Sequence, residues 1–547
     1  MRDMVQIGML VVAAVSAGSA AAQVAPPAQV LQRNPAVNPD RINEEQRQRL
    51  QDRVTAEPTG PATPQVEVPP PALQTEGNGP EVRFTLARIV FDPSAYLSDA
   101  ELQALARPLV GQEVTLAALQ RIVDQINAIY AARGLTTARA ILPTQPIEGG
   151  VVTIRLVEGK IGSTTVEGAS ARSSAYVRDR AGVAQGTLAA PDTVAQQLRV
   201  FNLNNDAQVR ARLAPGQGFG RTDVILTASE PTRFSADVFT DNNGFASTGE
   251  TEVGAVLRGY RLFSAADRLS AVFVASRGVR SGNLSLSAPL GDRLRISASA
   301  AYGRTRVLFG PIAALDVRGT SFSLGGDLAG LLLVGDRVTV TGTAGVQSSR
   351  SITEISGERV IENLNLNGSL GLAASYSVPG FAASIQHQVT LARVNEVLSD
   401  TQIQTVLFQG SASVAKAIGD RVQARLRGDY QLATERNLPG VLQYQIGGSR
   451  SARAFAPGVA AGDRGLAAAV ELAYGTAIAT VSLEPFVFVD HAQVRAPGFD
   501  ASLQSIGAGI AVAGGARAQL RLTGATSIHA SGTGGDTRAF FSANLHL

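Results

Sequence analysis

From Phe234 to the C-terminus, apolar and polar residues alternate in a series of short segments. Leu294 to Tyr302 has an apolar residue at every second position, and Val338 to Val346 alternates mainly with threonine. The final segment, Phe541 to Leu547, follows the same pattern. A period of two, with one apolar and one polar face, predicts half-buried antiparallel strands.

One turn sequence introduces several of these strands. Gly-Asp-Arg occurs at 291–293, 335–337 and 419–421, and Ala-Asp-Arg at 266–268 is a variant. Gly-Asp is a strong signal for a two-residue hairpin turn. Its recurrence predicts tight turns along one rim of the sheet.

The strands of residues 233–547 are too numerous for an open sheet. Open sheets of more than about ten strands rarely persist, and a barrel removes both exposed edges. At about 20 residues for each membrane strand with its connection, the region holds about 16 strands. Outward apolar and inward polar residues then predict an outer-membrane barrel with a wet lumen. A secreted β-solenoid or adhesin is the alternative, but no fixed repeat of about 20–30 residues is visible.

The N-terminus has the pattern of an export signal. Arg2 precedes an uncharged and mostly apolar run from Val5 to Ala17, and small residues at 20–22 precede Gln23. This pattern predicts a signal peptide over residues 1–22. A membrane-anchoring helix is the alternative, but a span needs about 20 apolar residues.

Residues 23–81 form a Pro-rich linker that contains one helical segment. Asp40 to Val54 has no glycine or proline and is rich in helix formers. Its apolar residues, Ile42, Leu50 and Val54, are too sparse to face a core. A solvated helix on a tether and a polar helix docked in a polar cavity both remain open.

Two small α/β units follow, over residues 82–159 and 160–232. The first combines an apolar strand, Phe84 to Phe91, with a helix that has apolar residues at i, i+3, i+4 and i+7 between Leu119 and Tyr130. Two further strands close it, and the second unit repeats the order more loosely. Neither unit contains a catalytic constellation.

Composition narrows the functional classes. The net charge is +3, with 48 Lys+Arg and 45 Asp+Glu, which gives no support for a nucleic-acid partner. The absence of cysteine excludes disulfide scaffolds, cysteine nucleophiles and zinc ribbons. The four histidines lie in separate segments without a nucleophile–base spacing, so we expect no metal, no cofactor and no enzymatic activity.

Several ordered motifs resemble one family. These are residues 141–145 (Ile-Leu-Pro-Thr-Gln), 157–159 (Val-Glu-Gly), 213–216 (Leu-Ala-Pro-Gly) and 241–244 (Asp-Asn-Asn-Gly). In this order they resemble the outer-membrane transporters of two-partner secretion, the hemolysin secretion/activation family. The resemblance implies a mainly β protein, in which a plug helix (about 40–54) and two periplasmic POTRA domains precede a transmembrane antiparallel β-barrel.

The segment from Gly447 and Gly448 to Gly465 resembles the family's long loop that folds into the lumen. The core of that loop is usually Val-Arg-Gly-Tyr/Phe, and here residues 452–455 read Ala-Arg-Ala-Phe. The Phe-x-Asp of the partner strand is matched at 488–490. The resemblance implies an Arg453–Asp490 ion pair that locks the loop, with further residues that we expect to take part: Phe455, Phe488 and the hinge glycines Gly447, Gly448 and Gly458. Ala454 in place of the usual glycine disfavours a positive φ there.

The resemblance also implies a function without catalysis. An unfolded secreted partner protein, hemolysin-like or adhesin-like, would be captured by the POTRA domains and conducted through a monomeric barrel in outer-membrane lipid. A barrel-assembly factor of the same superfamily is the alternative, and a porin or enzyme barrel is a weaker one. Two POTRA units with a polar plug helix favour secretion.

Overall fold

The computed structural model describes residues 35–55, 66–67, 83–515 and 517–547. The predicted signal peptide, residues 1–22, and most of the Pro-rich linker lie outside the described residues. Within the described ranges, no helix is both long and apolar enough to cross a membrane.

The first described elements are α1 (Pro39–Thr55) and the short strand β1 (Val66–Glu67). The first small domain then contains two sheets, β3-β6-β5 and β2-β4, and two helices. Their bounds are β2 (Arg83–Thr85), β3 (Arg88–Phe91), α2 (Asp99–Ala106), β4 (Glu113–Thr115), α3 (Leu116–Ala132), β5 (Ala138–Ile141) and β6 (Val151–Glu158).

The predicted apolar helix is α3, and its side chains at 119, 122, 126 and 130 are buried in the domain core. The predicted strand from Phe84 to Phe91 is instead two strands in different sheets. The chain changes partner between them, because the Leu86 amide donates to the Gln112 carbonyl and the Ala87 amide to that of Gly150. Alternation of side chains does not reveal such a change of partner.

The second small domain has a four-stranded sheet of order β1-β8-β9-β7. It contains β7 (Lys160–Glu167), α4 (Ala171–Arg180), α5 (Pro191–Asn204), β8 (Gln208–Pro215) and β9 (Arg221–Ser229). The linker strand β1 pairs with β8 in parallel. Val66 packs against the core of this domain, so the linker is attached to its sheet.

Except for β21 (Tyr444–Ile446) and β22 (Ala460–Gly462), which pair with each other, the remaining strands form one closed antiparallel barrel of 16 strands, in which β23 and β24 are two parts of one strand. Pairing of β10 with β28 closes it. The bounds are β10 (Phe234–Asp241), β11 (Glu252–Tyr260), β12 (Arg268–Ala275), β13 (Val279–Pro289), β14 (Leu294–Arg306), β15 (Val317–Val334), β16 (Val338–Ile355), β17 (Glu358–Val378), β18 (Phe381–Glu396), β19 (Thr401–Ile418), β20 (Val422–Ala433), β23 (Arg464–Tyr474), β24 (Thr476–Ile478), β25 (Val481–Ala496), β26 (Phe499–Gly514), β27 (Ala518–Ser531) and β28 (Thr537–His546).

The outer face of the barrel is apolar. Large apolar side chains on alternate positions are exposed there, including Leu257, Phe273, Ile296 and Leu370. The intervening positions, such as Asn283, Ser323 and Asn365, point inward and carry small or amide-bearing side chains. The barrel therefore offers an apolar surface to lipid and a polar interior.

The Gly-Asp-Arg turns lie on the rim that faces the second small domain. Arg180 of α4 pairs with Asp292 at 3.0 Å, and Arg199 of α5 pairs with Asp336. A further carboxylate, Asp206, accepts from Arg268 and Arg295 at the same rim. These contacts seat the second domain on the base of the barrel.

Candidate functional site

The connection between β20 and β23, residues 434–463, folds back into the barrel. Two short strands, β21 (Tyr444–Ile446) and β22 (Ala460–Gly462), pair at its base. Gly447 has a φ of +104°, and a Cβ there would lie 2.1 Å from the Ala456 carbonyl oxygen. Gly448 and Gly458 also have positive φ values, of +79° and +64°. Only glycine fits these bends without strain.

The structure brings Arg453 at the loop tip against Asp490 of β25. The Arg453 Nη2 donates to Asp490 Oδ1 at 2.7 Å, and Nε donates to Oδ2 at 3.0 Å. The backbone N–H of Arg453 also donates to Oδ2 at 3.0 Å. Asp490 is fully buried and accepts a further bond from the Ser505 hydroxyl at 2.9 Å. A bidentate, charge-assisted pair of this kind fixes both position and orientation.

The two aromatic residues of the predicted lock lie around this pair. The Arg453 guanidinium carbon is 3.3 Å from the centroid of the Phe488 ring, which adds a cation–π contact. Phe455 is buried in an apolar cluster with Ile446 and Phe488. Ala454 does not adopt a positive φ, so alanine is accommodated where the family usually has glycine.

Sequence reasoning missed Glu471 of β23. Its Oε2 accepts from Arg453 at 2.9 Å and from Arg521 at 2.8 Å, and its Oε1 accepts from Arg425 at 3.2 Å. The sequence did contain part of the signal for Glu471, because a carboxylate at an inward position of an otherwise mainly apolar strand indicates a buried charge. Its partners depend on strand register, which alternation does not supply.

Asp463 at the end of the loop was also missed. Its carboxylate accepts from the backbone N–H groups of Asn437 at 2.7 Å and Leu438 at 3.0 Å. It therefore ties the outgoing end of the loop to its incoming end, across 25 residues.

Helix α1 lies inside the barrel, so the second of the two open alternatives holds. Ile42 and Leu50 are its buried apolar side chains, and both contact the wall on the side of β10 to β13. The Asp40 carboxylate accepts from Thr353 at 3.1 Å and from Asn363 at 2.9 Å. Asn43, Gln46, Arg49 and Arg53 also make hydrogen bonds with the wall and its connections.

The loop contacts both ends of α1. Arg41 near its N-terminus donates to Gln443, and Asp52 near its C-terminus pairs with Arg450 at 2.8 Å. The helix therefore lies between the barrel wall and the inward loop.

The Val-Glu-Gly motif of the first domain, residues 157–159, has a structural role. Glu158 accepts from the Ala95 amide at 2.9 Å and from the Tyr130 hydroxyl at 3.2 Å, which ties α3 to the sheet and to the connection before α2. Burial raises the pKa of Tyr130 to about 12. The phenol therefore stays protonated and donates to this carboxylate at any physiological pH.

The four histidines lie apart in the barrel. His387 contacts Tyr430 on the outer face, and His546 contacts Asp237 near the closing seam. Within the part of the chain that the structure describes, no group of three or more His, Asp or Glu side chains is arranged to hold a metal ion.

A closed 16-strand barrel with an inward loop and two N-terminal α/β domains defines an outer-membrane transporter of the POTRA–barrel type. The family model "POTRA domain, ShlB-type" matches residues 84–159. The model "Haemolysin secretion/activation protein ShlB/FhaC/HecB" matches residues 220–514, more than half of the chain. The chain belongs to this haemolysin secretion/activation family, so the predicted family and fold class are confirmed.

Comparison with individual relatives supports this family assignment. The outer membrane transporter CdiB of Escherichia coli O6:K15:H31 (strain 536) is 26% identical over 434 residues, which cover 74% of this chain and 71% of the relative. The heme/hemopexin transporter protein HuxB of Haemophilus influenzae (strain 86-028NP) is 28% identical over 232 residues, 41% of this chain and 40% of the relative. The solved structure of CdiB from Escherichia coli has a TM-score of 0.68 at 20% identity and covers 93% of this chain and 98% of that one.

The protein is thus a two-partner secretion transporter of the outer membrane, with its POTRA domains in the periplasm. The predicted transport function and location are confirmed, and the family is one of transporters.

Proposed function

We propose that the POTRA domains capture one unfolded, hemolysin-like or adhesin-like exoprotein and that the barrel lumen conducts it once α1 has moved. The observation that carries this proposal is a lumen filled by a helix with mainly polar contacts. Polar contacts can be exchanged for contacts with water or with another chain at a small net cost, about 1 kcal/mol for each hydrogen bond. A helix held in this way can leave the lumen and return to it.

Capture by strand addition fits the sheets of the first small domain. β5 is an edge strand of the sheet β3-β6-β5 and has backbone groups that can pair with an extended chain. Main-chain bonds give affinity to this kind of recognition, and pockets for alternate side chains give specificity. Binding at each step must be weak enough for the chain to move on.

Helix α1 is proposed as the plug, residues 40–54 in the sequence prediction. Deleting these residues should raise the single-channel conductance in planar lipid bilayers. A deletion variant that inserts normally and conducts no more than the wild type would rule out the plug assignment.

Arg453, Phe455, Phe488 and Asp490 are proposed as the lock that holds the inward loop, with Gly447, Gly448 and Gly458 as its hinges. The loop lies beside α1, so an unlocked loop would obstruct the path of the exoprotein. Arg453 donates from all three nitrogens of its planar guanidinium to two carboxylates, an arrangement that the single ammonium of lysine cannot reproduce.

The lock can be tested by co-expression with a candidate exoprotein, such as a large β-helical protein encoded in the adjacent reading frame. Arg453→Ala should lower secretion, and Arg427→Ala should not, because Arg427 donates only to the Ser449 carbonyl among the hydrogen bonds of the described residues. Surface levels of the barrel must match in all strains. Equal secretion by Arg453→Ala and the wild type would contradict the lock.

We further propose that the barrel works as a monomer in outer-membrane lipid and that folding of the emerged exoprotein keeps transport one-way. The closed strand order supports a monomer, because it leaves no sheet edge for a second copy. Mass measurement of the detergent-solubilised protein tests this: a stable dimer would contradict it.

A further inference from the structure

Two carboxylates face each other on the inner wall of β10 and β11. Asp241 and Glu252 are directly opposite in the strand register, and their exposed fractions are 1% and 3%. Like charges in opposed cross-strand positions destabilise a sheet. This pair therefore requires cationic partners.

Two arginines of α1 are those partners. Arg53 Nη2 lies 2.9 Å from Asp241 Oδ2, and Arg49 Nη1 lies 3.6 Å from Glu252 Oε2. Arg49 Nη1 also donates to the Asn243 carbonyl at 2.6 Å. Both guanidinium groups are thus held by the same short stretch of wall.

Aromatic rings complete this part of the wall. The Arg53 guanidinium carbon is 3.6 Å from the centroid of the Phe239 ring, and that of Arg49 is 5.7 Å from the Phe245 centroid. Carboxylates combined with ring faces favour a planar guanidinium over a compact ammonium. We call Phe239, Asp241, Phe245 and Glu252 the acidic–aromatic site.

We propose that the acidic–aromatic site is a receptor for pairs of arginine side chains and that in the open pore it binds arginine-bearing segments of the exoprotein in transit. This inference rests on the proposed departure of α1 from the lumen. When α1 leaves, it takes Arg49 and Arg53 with it, and the opposed carboxylates need new cations.

The spacing of the receptor suits an extended chain. Arginines four residues apart on a helix are separated by about 6.0 Å along its axis. Residues two apart on an extended chain are separated by about 6.6 Å and point to the same side. An Arg-x-Arg segment in extended form therefore presents its two guanidinium groups at nearly the spacing of Arg49 and Arg53.

The opposite side of the lumen would repel such a segment. The inward loop places Arg450 there, and departure of α1 removes Asp52, which pairs with Arg450. Basic segments are thus directed toward β10 and β11. The plug helix and the moving chain would compete for one site, which favours return of the helix when the chain has passed.

Block of single-channel current tests the inference. The protein is the chain lacking residues 40–54, with all strands and both small domains retained. The probes are 12-residue Gly/Ser peptides that carry Arg-Ser-Arg, Lys-Ser-Lys or Ser-Ser-Ser. We expect the Arg-Ser-Arg peptide to block at concentrations at least tenfold lower than the other two. Asp241→Asn with Glu252→Gln should remove this advantage.

Asp237→Asn is the matched control. It lies on the same strand and faces the lumen, but its partners are Arg258 and His546. It should leave the block unchanged. Phe239→Leu keeps both carboxylates and should weaken the block by several-fold, which provides a test if the double variant folds poorly.

The outcomes separate the inference from the function on which it rests. If the deleted chain conducts no more than the wild type, the plug assignment fails and the inference fails with it. If it conducts more, but the Arg-Ser-Arg peptide blocks the double variant equally well, the receptor alone is wrong. Equal block by the lysine peptide would mean that the site attracts any cation, and it would also contradict the proposal of an arginine receptor.

Discussion

The inward loop and helix α1 occupy the same lumen but are held there by different means. The loop inserts an apolar cluster, with Ile446, Ala452 and Phe455, against the wall of β23 to β27 and anchors it with a fully buried ion pair. The helix buries Ile42 and Leu50 and otherwise uses polar side chains. The loop is also continuous with the barrel at both ends, whereas α1 continues into the linker.

This difference indicates which element is built to move. Buried apolar surface contributes about 25 cal/mol for each Å² removed from water, and that contribution is lost when the surface is exposed. Polar contacts lose little when water replaces the partner. The difference therefore supports the proposal that the loop stays in the lumen and that the helix leaves it.

The largest effect is expected at the anchor of the loop. Asp490→Ala leaves Arg453 buried with only Glu471 as a charged partner, and breaking a buried pair costs about 3–5 kcal/mol. The midpoint of urea unfolding, followed by heat-modifiable gel mobility, should fall accordingly. Asp536→Ala is the control, because its pair with Arg538 is half exposed and contributes about 0–1 kcal/mol. Similar losses for both variants would contradict a special role of the buried pair.

A smaller effect is expected at the first hinge of the loop. Gly447→Ala combines a positive φ with a Cβ 2.1 Å from a backbone oxygen, and we expect a loss of about 3 kcal/mol. Gly498→Ala also has a positive φ, of +73°, but no atom lies within 4 Å of its Cβ, so about 1 kcal/mol should be lost. The same urea assay compares them, and equal losses would mean that conformation alone matters at Gly447.

The barrel was predictable because its physical cause is local. Alternation along segments such as Leu294 to Tyr302 records which side faces lipid, and no knowledge of neighbouring strands is needed. The same alternation does not record register or changes of partner. This is why the predicted strand Phe84 to Phe91 proved to be two strands in separate sheets.

The candidate site was predictable only in the part that a family motif marks. The motif singled out Arg453 and Asp490, which are 37 residues apart. Glu471 went unnoticed because nothing in its own segment sets it beside Arg453. The partner of Arg53 could not be predicted from the sequence for the same reason, since Asp241 lies 188 residues away along the chain.

The polar contacts that hold α1 in the lumen should break more easily than the contacts that anchor the inward loop. Arg49→Gln with Arg53→Gln keeps helix-forming residues but removes both guanidinium groups from Asp241 and Glu252. We expect open events in planar bilayers to rise at least about tenfold, which corresponds to about 1.4 kcal/mol. Arg453→Ala should leave these events near the wild-type level, because it does not touch the wall contacts of α1. If Arg453→Ala opened the pore as often, loop and helix would move as one unit.

The smallest effect is expected from Arg47→Gln. Arg47 lies on the same helix as Arg49 and Arg53, but its hydrogen bonds go to Glu44 and Gln51 within α1. Such pairs contribute about 0.2–0.5 kcal/mol to a helix, so the frequency of open events should barely change. The variant removes the same charge as Arg49→Gln, but among the described residues it removes no hydrogen bond or ion pair with the wall. If Arg47→Gln opened the pore as often as the double variant, the total charge of α1 would be what holds the helix in the lumen. The individual contacts at Asp241 and Glu252 would then not explain its retention.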